Sequence, residues 1–202
     1  MSDVTTAVQT IRMEHFNIAS VLTCLAHSLR EIEAGRWQPD HRLLAAVVEY
    51  LERYPEVYHH PKEEDYLFAA MRRRRPELNK KLDMVREEHI KGARMLAELS
   101  EAQVAYSADE STFGRFKAVA EEYLYFERRH MQREERELLP LALQILTEED
   151  WREINAAFAS NDDPLFGSQR RQEFKDLVDR ILELAPSPLG FAAREPELQA
   201  RA

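Results

Sequence analysis

Apolar residues recur along this chain with a helical period, and breakers cut the pattern into long amphipathic stretches. The first runs from about Val4 to Ala34 and stops at Gly35. Pro39-Asp40 opens a second, roughly 41 to 74. Pro76 marks the start of a third, which runs to about Tyr106. Ser107-Ala108-Asp109 makes a turn, and a fourth continues to about Leu146. Thr147-Glu148-Glu149-Asp150 reads as an N-cap with acidic first-turn residues, opening a short fifth helix. After the turn at Asn161-Asp162-Asp163-Pro164, a last helix is expected from about Ser168 to Leu184, then a loose tail from Ala185.

The pattern repeats itself. Glu14-His15 is followed by Leu22 and Leu25, and Glu88-His89 by Leu96 and Leu99, at the same spacing. His59-His60-Pro61-Lys62-Glu63-Glu64 returns as His130-Met131-Gln132-Arg133-Glu134-Glu135. One helical hairpin followed by its copy predicts an all-α, up-down-up-down antiparallel four-helix bundle with additional C-terminal helices. The expected division is a bundle with its short fifth helix over residues 1–160 and a C-terminal extension over 161–202.

The histidines fall at one height. With loop centres near Trp37, Arg74 and Asp109, His15 lies 22 residues before the first and His59 lies 22 after it. His89 lies 20 before the third and His130 lies 21 after it, while His59 and His89 are each 15 from the middle one. Helices of equal rise then bring all four to one layer. Each also interrupts an apolar stripe: His15 between Ile11 and Ile18, His59 between Leu51 and Leu67, His89 between Val85 and Leu96, His130 between Phe126 and Leu138.

A single inward histidine is ordinarily a satisfied core residue. Four at one height, two of them with a glutamate one turn along, form a donor set for a transition metal. Buried glutamates are costly unless paired or bound to metal. Four imidazoles and two carboxylates overfill a tetrahedral zinc site. They suit two iron or manganese ions with bridging carboxylates and room for an oxo or hydroxo bridge.

Composition narrows the remaining classes. A net charge of −9 argues against nucleic-acid binding, and no apolar run approaches a membrane span. No basic-then-apolar leader opens the sequence, and the single cysteine, Cys24, reads as a buried small hydrophobe, so the cytoplasm is expected. The run Arg72-Arg73-Arg74-Arg75 reads as a solvated helix end. Tyr54, Tyr58, Tyr125 and Phe126 read as bundle packing, and His27 and His41 as unrelated to the site.

The phrases HHPKEE and HMQREE, with Leu138-Leu139-Pro140 after the second, resemble the hemerythrin-like HHE cation-binding domain over roughly residues 10 to 160. The resemblance implies that His15, His59, Glu63, His89, His130 and Glu134 bind metal. It implies two non-haem iron ions, with manganese or zinc as alternatives, and a small partner: O₂, peroxide or NO. The carried, sensed and reduced fates of that molecule stay open, and so does enzymatic activity. The family's oxygen carriers have a second histidine four residues after the one in the third helix, where this chain has Ala93. His60 is the candidate replacement, although on a regular helix it sits about 100° round from His59, and Pro61 follows it. A competing register exists in Glu56-x-x-His59 and Glu127-x-x-His130, the motif of ferritin-like di-iron proteins. That architecture needs inward glutamates on the other two helices, where this chain has His15 and His89. Glu56 and Glu127 are therefore expected to be solvated or to support the ligands.

Overall fold

A computed structural model describes residues 6–159 together with Ile181 and Glu183. The described residues are helical, with no strand among them. We number five helices. α1 is Thr6–Glu33, α2 spans 41–74, α3 is Asn79–Ala108, α4 spans 113–145 and α5 is Glu148–Ala159. The first four form the antiparallel bundle, and the helix limits fall within a few residues of those expected. The predicted last helix and tail lie outside the described residues, apart from Ile181, which is buried in the main core, and Glu183, which is exposed.

Local chemistry sets the turns. Gly35 ends α1 with φ +66°, a conformation that costs glycine little. Asp40 caps α2, accepting from the backbone N–H groups of Arg42 and Leu43 at 3.0 and 3.2 Å. Asp109 does the same for the short turn into α4, accepting from Ser111 N–H.

α2 and α4 are not regular. Each carries π-helical turns: Pro55–His59 and Glu63–Phe68 in α2, Glu134–Leu138 in α4. Prolines account for their position. A proline lacks the N–H for the regular bond, and its ring collides with the carbonyl four residues back. At Pro55 the bonding slips by one residue, so that the His59 N–H reaches the Tyr54 carbonyl. Pro61 precedes the second π turn, and Pro140 follows the third. Such one-residue insertions turn the following side chains to a new face, and they recur at functional sites.

The core is split in two. One cluster fills the end near Trp37 and Asp109, with Leu22, Leu25, Leu44, Tyr50, Leu96, Tyr106 and Phe116. The other fills the end carrying the Arg74 loop, with Ile11, Leu67, Phe68, Leu82, Leu138 and Trp151. The histidine layer lies between them.

α5 closes the second end. Trp151, Ile154 and Phe158 are buried in this second cluster, and the helix packs on α1 and α2. Thr147 and Asp150 form a reciprocal cap: the Asp150 carboxylate accepts from Thr147 N–H at 2.9 Å, and the Thr147 hydroxyl accepts from Asp150 N–H at 3.4 Å. The arginine run is exposed at the helix end, as expected, and it also clasps this helix. Arg74 donates to both Asp150 oxygens, at 2.7 and 3.2 Å, and Arg73 pairs with Glu153 at 3.1 Å. Asn155 returns the contact by accepting from the Ala7 N–H at the start of α1.

Candidate metal centre

The four helices deliver His15, His59, His89 and His130 to one buried layer, none more than 7% exposed. Glu63 and Glu134 enter the same layer, at 0% and 1%. The π turns beginning at both glutamates hold them inward.

The donor atoms fall into two groups. One joins His15, His59, Glu63 and Glu134, and the other His60, His89 and His130; within each, one donor atom per residue lies within 4.8 Å of all the others. The carboxylates link the two. Glu134 lies 3.3 Å from His15 Nε2, 3.4 Å from His89 Nε2 and 3.4 Å from His130 Nε2. Glu63 lies 3.6 Å from His59 Nε2, 3.9 Å from His15 Nε2 and 3.8 Å from His89 Nε2. Each glutamate thus touches histidines of both groups.

His60 comes inward. It is 5% exposed, and its ring stacks on His89 with centroids 4.2 Å apart. A regular helix would turn it away from His59; the π turn at Pro55–His59 brings both to the interior. Ala93 faces solvent, and the inward position on α3 is Gly92. The space beside Gly92 is occupied by the Phe126 ring and the Glu127 carboxylate.

A second set of carboxylates orients the imidazoles. Glu14, beside His15 on α1, accepts from His59 Nδ1 on α2 at 2.8 Å. Glu64, beside Glu63 on α2, accepts from His89 Nδ1 on α3 at 3.0 Å. Glu88, beside His89 on α3, accepts from His130 Nδ1 on α4 at 3.3 Å. Glu135, beside Glu134 on α4, accepts from His15 Nδ1 on α1 at 3.1 Å. Each helix tethers the imidazole of the next, and the ring closes. An imidazole that donates from Nδ1 presents the Nε2 lone pair, the arrangement found around metal-ligating histidines. His60 differs: its Nδ1 lies 3.5 Å from Glu56 on its own helix and makes no hydrogen bond.

The electrostatics show a site short of positive charge. Burial and the nearby Glu134 charge raise the Glu63 carboxyl well above its usual range. Burial acts on Glu134 too, but His130, His15 and His89 outweigh it and hold that carboxyl well below its usual range. Burial lowers His15 and His89, yet Glu134 and their tethers, Glu135 and Glu64, raise both to about 10. Burial and the charge on His15 push His59 down, and burial takes His60 to about 3. Protons here stand where a cation would, and a metal must displace them.

The fit to a metal rests on unpaired atoms. Both oxygens of Glu63, both oxygens of Glu134, and Nε2 of His89 and His130 are buried without a hydrogen-bond partner. Burying that many unsatisfied polar atoms costs several kcal/mol. A family model described as the hemerythrin HHE cation binding domain matches residues 6–142. The chain belongs to that family. Neither the curated proteins nor the solved structures yield a match. Membership of the hemerythrin-like family implies a metal cation-binding site, and the buried His/Glu groups are a donor set that could hold one.

The other sequence-based expectations divide. His27 packs on Trp37, and His41 packs on Tyr106, both away from the layer. Cys24 is buried, and burial pushes its thiol up to about 11. Tyr54 is buried, but Tyr125 is 64% exposed and its hydroxyl accepts from Arg129, so it is not bundle packing. Glu56 is partly exposed, whereas Glu127 is buried in the hemerythrin-like core rather than solvated, its carboxyl raised by burial. The tethering carboxylates were missed as tethers. Their signal was the glutamate directly beside a site residue on each helix: Glu14-His15, Glu63-Glu64, Glu88-His89 and Glu134-Glu135.

Proposed function

We propose that this hemerythrin-like domain holds two non-haem iron ions and binds a small oxidant, O₂, peroxide or NO, between them and its apolar walls. The observation that carries the reading is the pair of donor groups joined by Glu63 and Glu134. His15 and His59 would hold one ion, His60, His89 and His130 the other, and the two glutamates both. Seven N and O donors exceed what one tetrahedral zinc accepts, and the mixed imidazole–carboxylate set suits iron.

A bound iron pair supplies open coordination positions and exchangeable electrons for a small oxidant. The residues supply the rest. The Nδ1 tethers fix four of the five imidazoles before a metal arrives, which lowers the ordering cost of binding. The two apolar clusters above and below the layer limit water. The group containing His15 and His59 offers two imidazoles, and the other group three.

The test is elemental analysis of the purified protein, followed by optical spectra of the iron-loaded form with O₂, azide and NO. The reading expects iron and a ligand-dependent charge-transfer band. Zinc as the resident metal, or a spectrum indifferent to all three ligands, would overturn it. Turnover of peroxide or NO in the same samples would make the domain an enzyme; stoichiometric binding without turnover would make it a carrier or sensor.

A further inference from the structure

A groove between α3 and α4 reaches the metal centre. Its volume is about 330 Å³, and Phe126 and His130 form part of its lining. We propose that this groove is the access route to the centre, that it favours small anions over neutral molecules, and that the Phe126 ring is its gate. The proposal rests on the metal-centre reading above.

Charge carries the selectivity. Lys91, Arg129 and Arg133 line the groove, against the carboxylates Glu88 and Glu122. Arg133 pairs with Glu88, which also holds His130, so that carboxylate is already neutralised. Among the described residues, Lys91 and Arg129 have no carboxylate within ion-pair distance; Lys91 lies 5.1 Å from the Phe126 ring centre, and Arg129 bonds the Tyr125 hydroxyl. The whole chain carries −9, so most of its surface repels an anion. A cleft of the opposite sign concentrates anions locally and raises their association rate.

Phe126 and His130 line that cleft side by side, while the Nε2 donor of His130 is buried. Its ring lies parallel to the His130 ring, within 4°, with centroids 6.4 Å apart. Gly92, opposite, lets the ring lie where it does: a Cβ there would come 3.2 Å from Phe126 Cε1. The ring has glycine on one side and the flexible Lys91 side chain on the other, so turning it towards the lysine is the movement that would open the way to His130.

Two measurements test this. On the iron-loaded protein, stopped-flow association of azide and of NO is compared for Lys91→Glu/Arg129→Glu and for Phe126→Ala. The double reversal is expected to slow azide at least about fivefold at low salt and to leave NO unchanged. An equal response of the two probes would overturn the anion preference. On the metal-free protein, diethyl pyrocarbonate labelling of His130 is followed by peptide mass spectrometry. Phe126→Ala is expected to raise it several-fold; labelling equal to that of the unsubstituted protein would overturn the gate. The labelling arm needs no metal, so a failed route and a failed metal assignment give different results.

Discussion

The two copies of the His-x-x-x-Glu phrase look alike in the sequence and do different jobs in the fold. The copy on α4 contributes one histidine and a glutamate that three imidazoles hold ionised. The copy on α2 contributes two histidines, one to each donor group, and a glutamate whose carboxyl burial raises well above its usual range. The difference comes from the backbone. α2 has an additional π turn at Pro55–His59, and α4 has no counterpart to it. One inserted residue therefore converts a symmetric repeat into an asymmetric site, with two imidazoles on one side and three on the other. It also explains how a chain with an outward-facing Ala93 completes its donor set.

The largest effect should separate the two glutamates from their neighbours. Glu134→Gln and Glu63→Gln keep the side-chain shape but remove a charge shared by both donor groups. Each should cut metal content at saturation by half or more, as read by elemental analysis. Glu56→Gln and Glu127→Gln should leave it close to that of the unsubstituted protein. The opposite ranking would move the centre to the other side of the histidine layer and make the ferritin-like register correct.

A smaller effect should distinguish the adjacent histidines. His59 is tethered by Glu14 at 2.8 Å, whereas His60 Nδ1 has no hydrogen bond. Loss of an orienting partner typically costs about 10- to 100-fold in metal affinity. His60→Ala should therefore weaken one ion and spare the other, giving biphasic extraction by a chelator. His59→Ala should weaken the other ion, the one beside His15, and by more, because it removes a tethered ligand. Monophasic extraction from His60→Ala, at the rate of the unsubstituted protein, would remove His60 from the donor set.

The smallest effect lies at the bundle end. Burial opposes ionisation of Asp150, but Arg74 and Thr147 lower its carboxyl to about 2. A depressed carboxyl stabilises the fold above its unfolded value, near 4, and loses that contribution as pH falls towards 2. Asp150→Asn should thus cost about 1 kcal/mol at neutral pH, shrinking towards zero between pH 4 and 2 in denaturant titrations. A cost independent of pH would assign the effect to cap geometry and not to the Arg74 clasp.

Much of this was legible before the fold. Helix limits followed from Gly35, Asp40, Pro76 and Asp109, because capping and turn chemistry are local. The common height of the four histidines followed from constant helical rise. Side-chain direction was less legible wherever the rise was not regular. A fixed angle per residue turns His60 away from His59, and only the slipped hydrogen bonds after Pro55 bring it back. Pro55, Pro61 and Pro140 were the visible signs. Tyr125, expected to pack in the bundle, faces water, and of the two environments expected for Glu127 the solvated one is excluded, since it lies buried beside Gly92. The tethers needed tertiary structure, because each joins a residue on one helix to an imidazole on the next.

The central claim is that two ions sit in two donor groups joined by Glu63 and Glu134. Anomalous diffraction from crystals of the iron-loaded protein tests it most directly. The account predicts two peaks about 3.5 to 4 Å apart, one beside His15 and His59 and the other beside His60, His89 and His130. Both glutamates should lie between the peaks. A single peak, or a pair centred on Glu56 and Glu127, would contradict it.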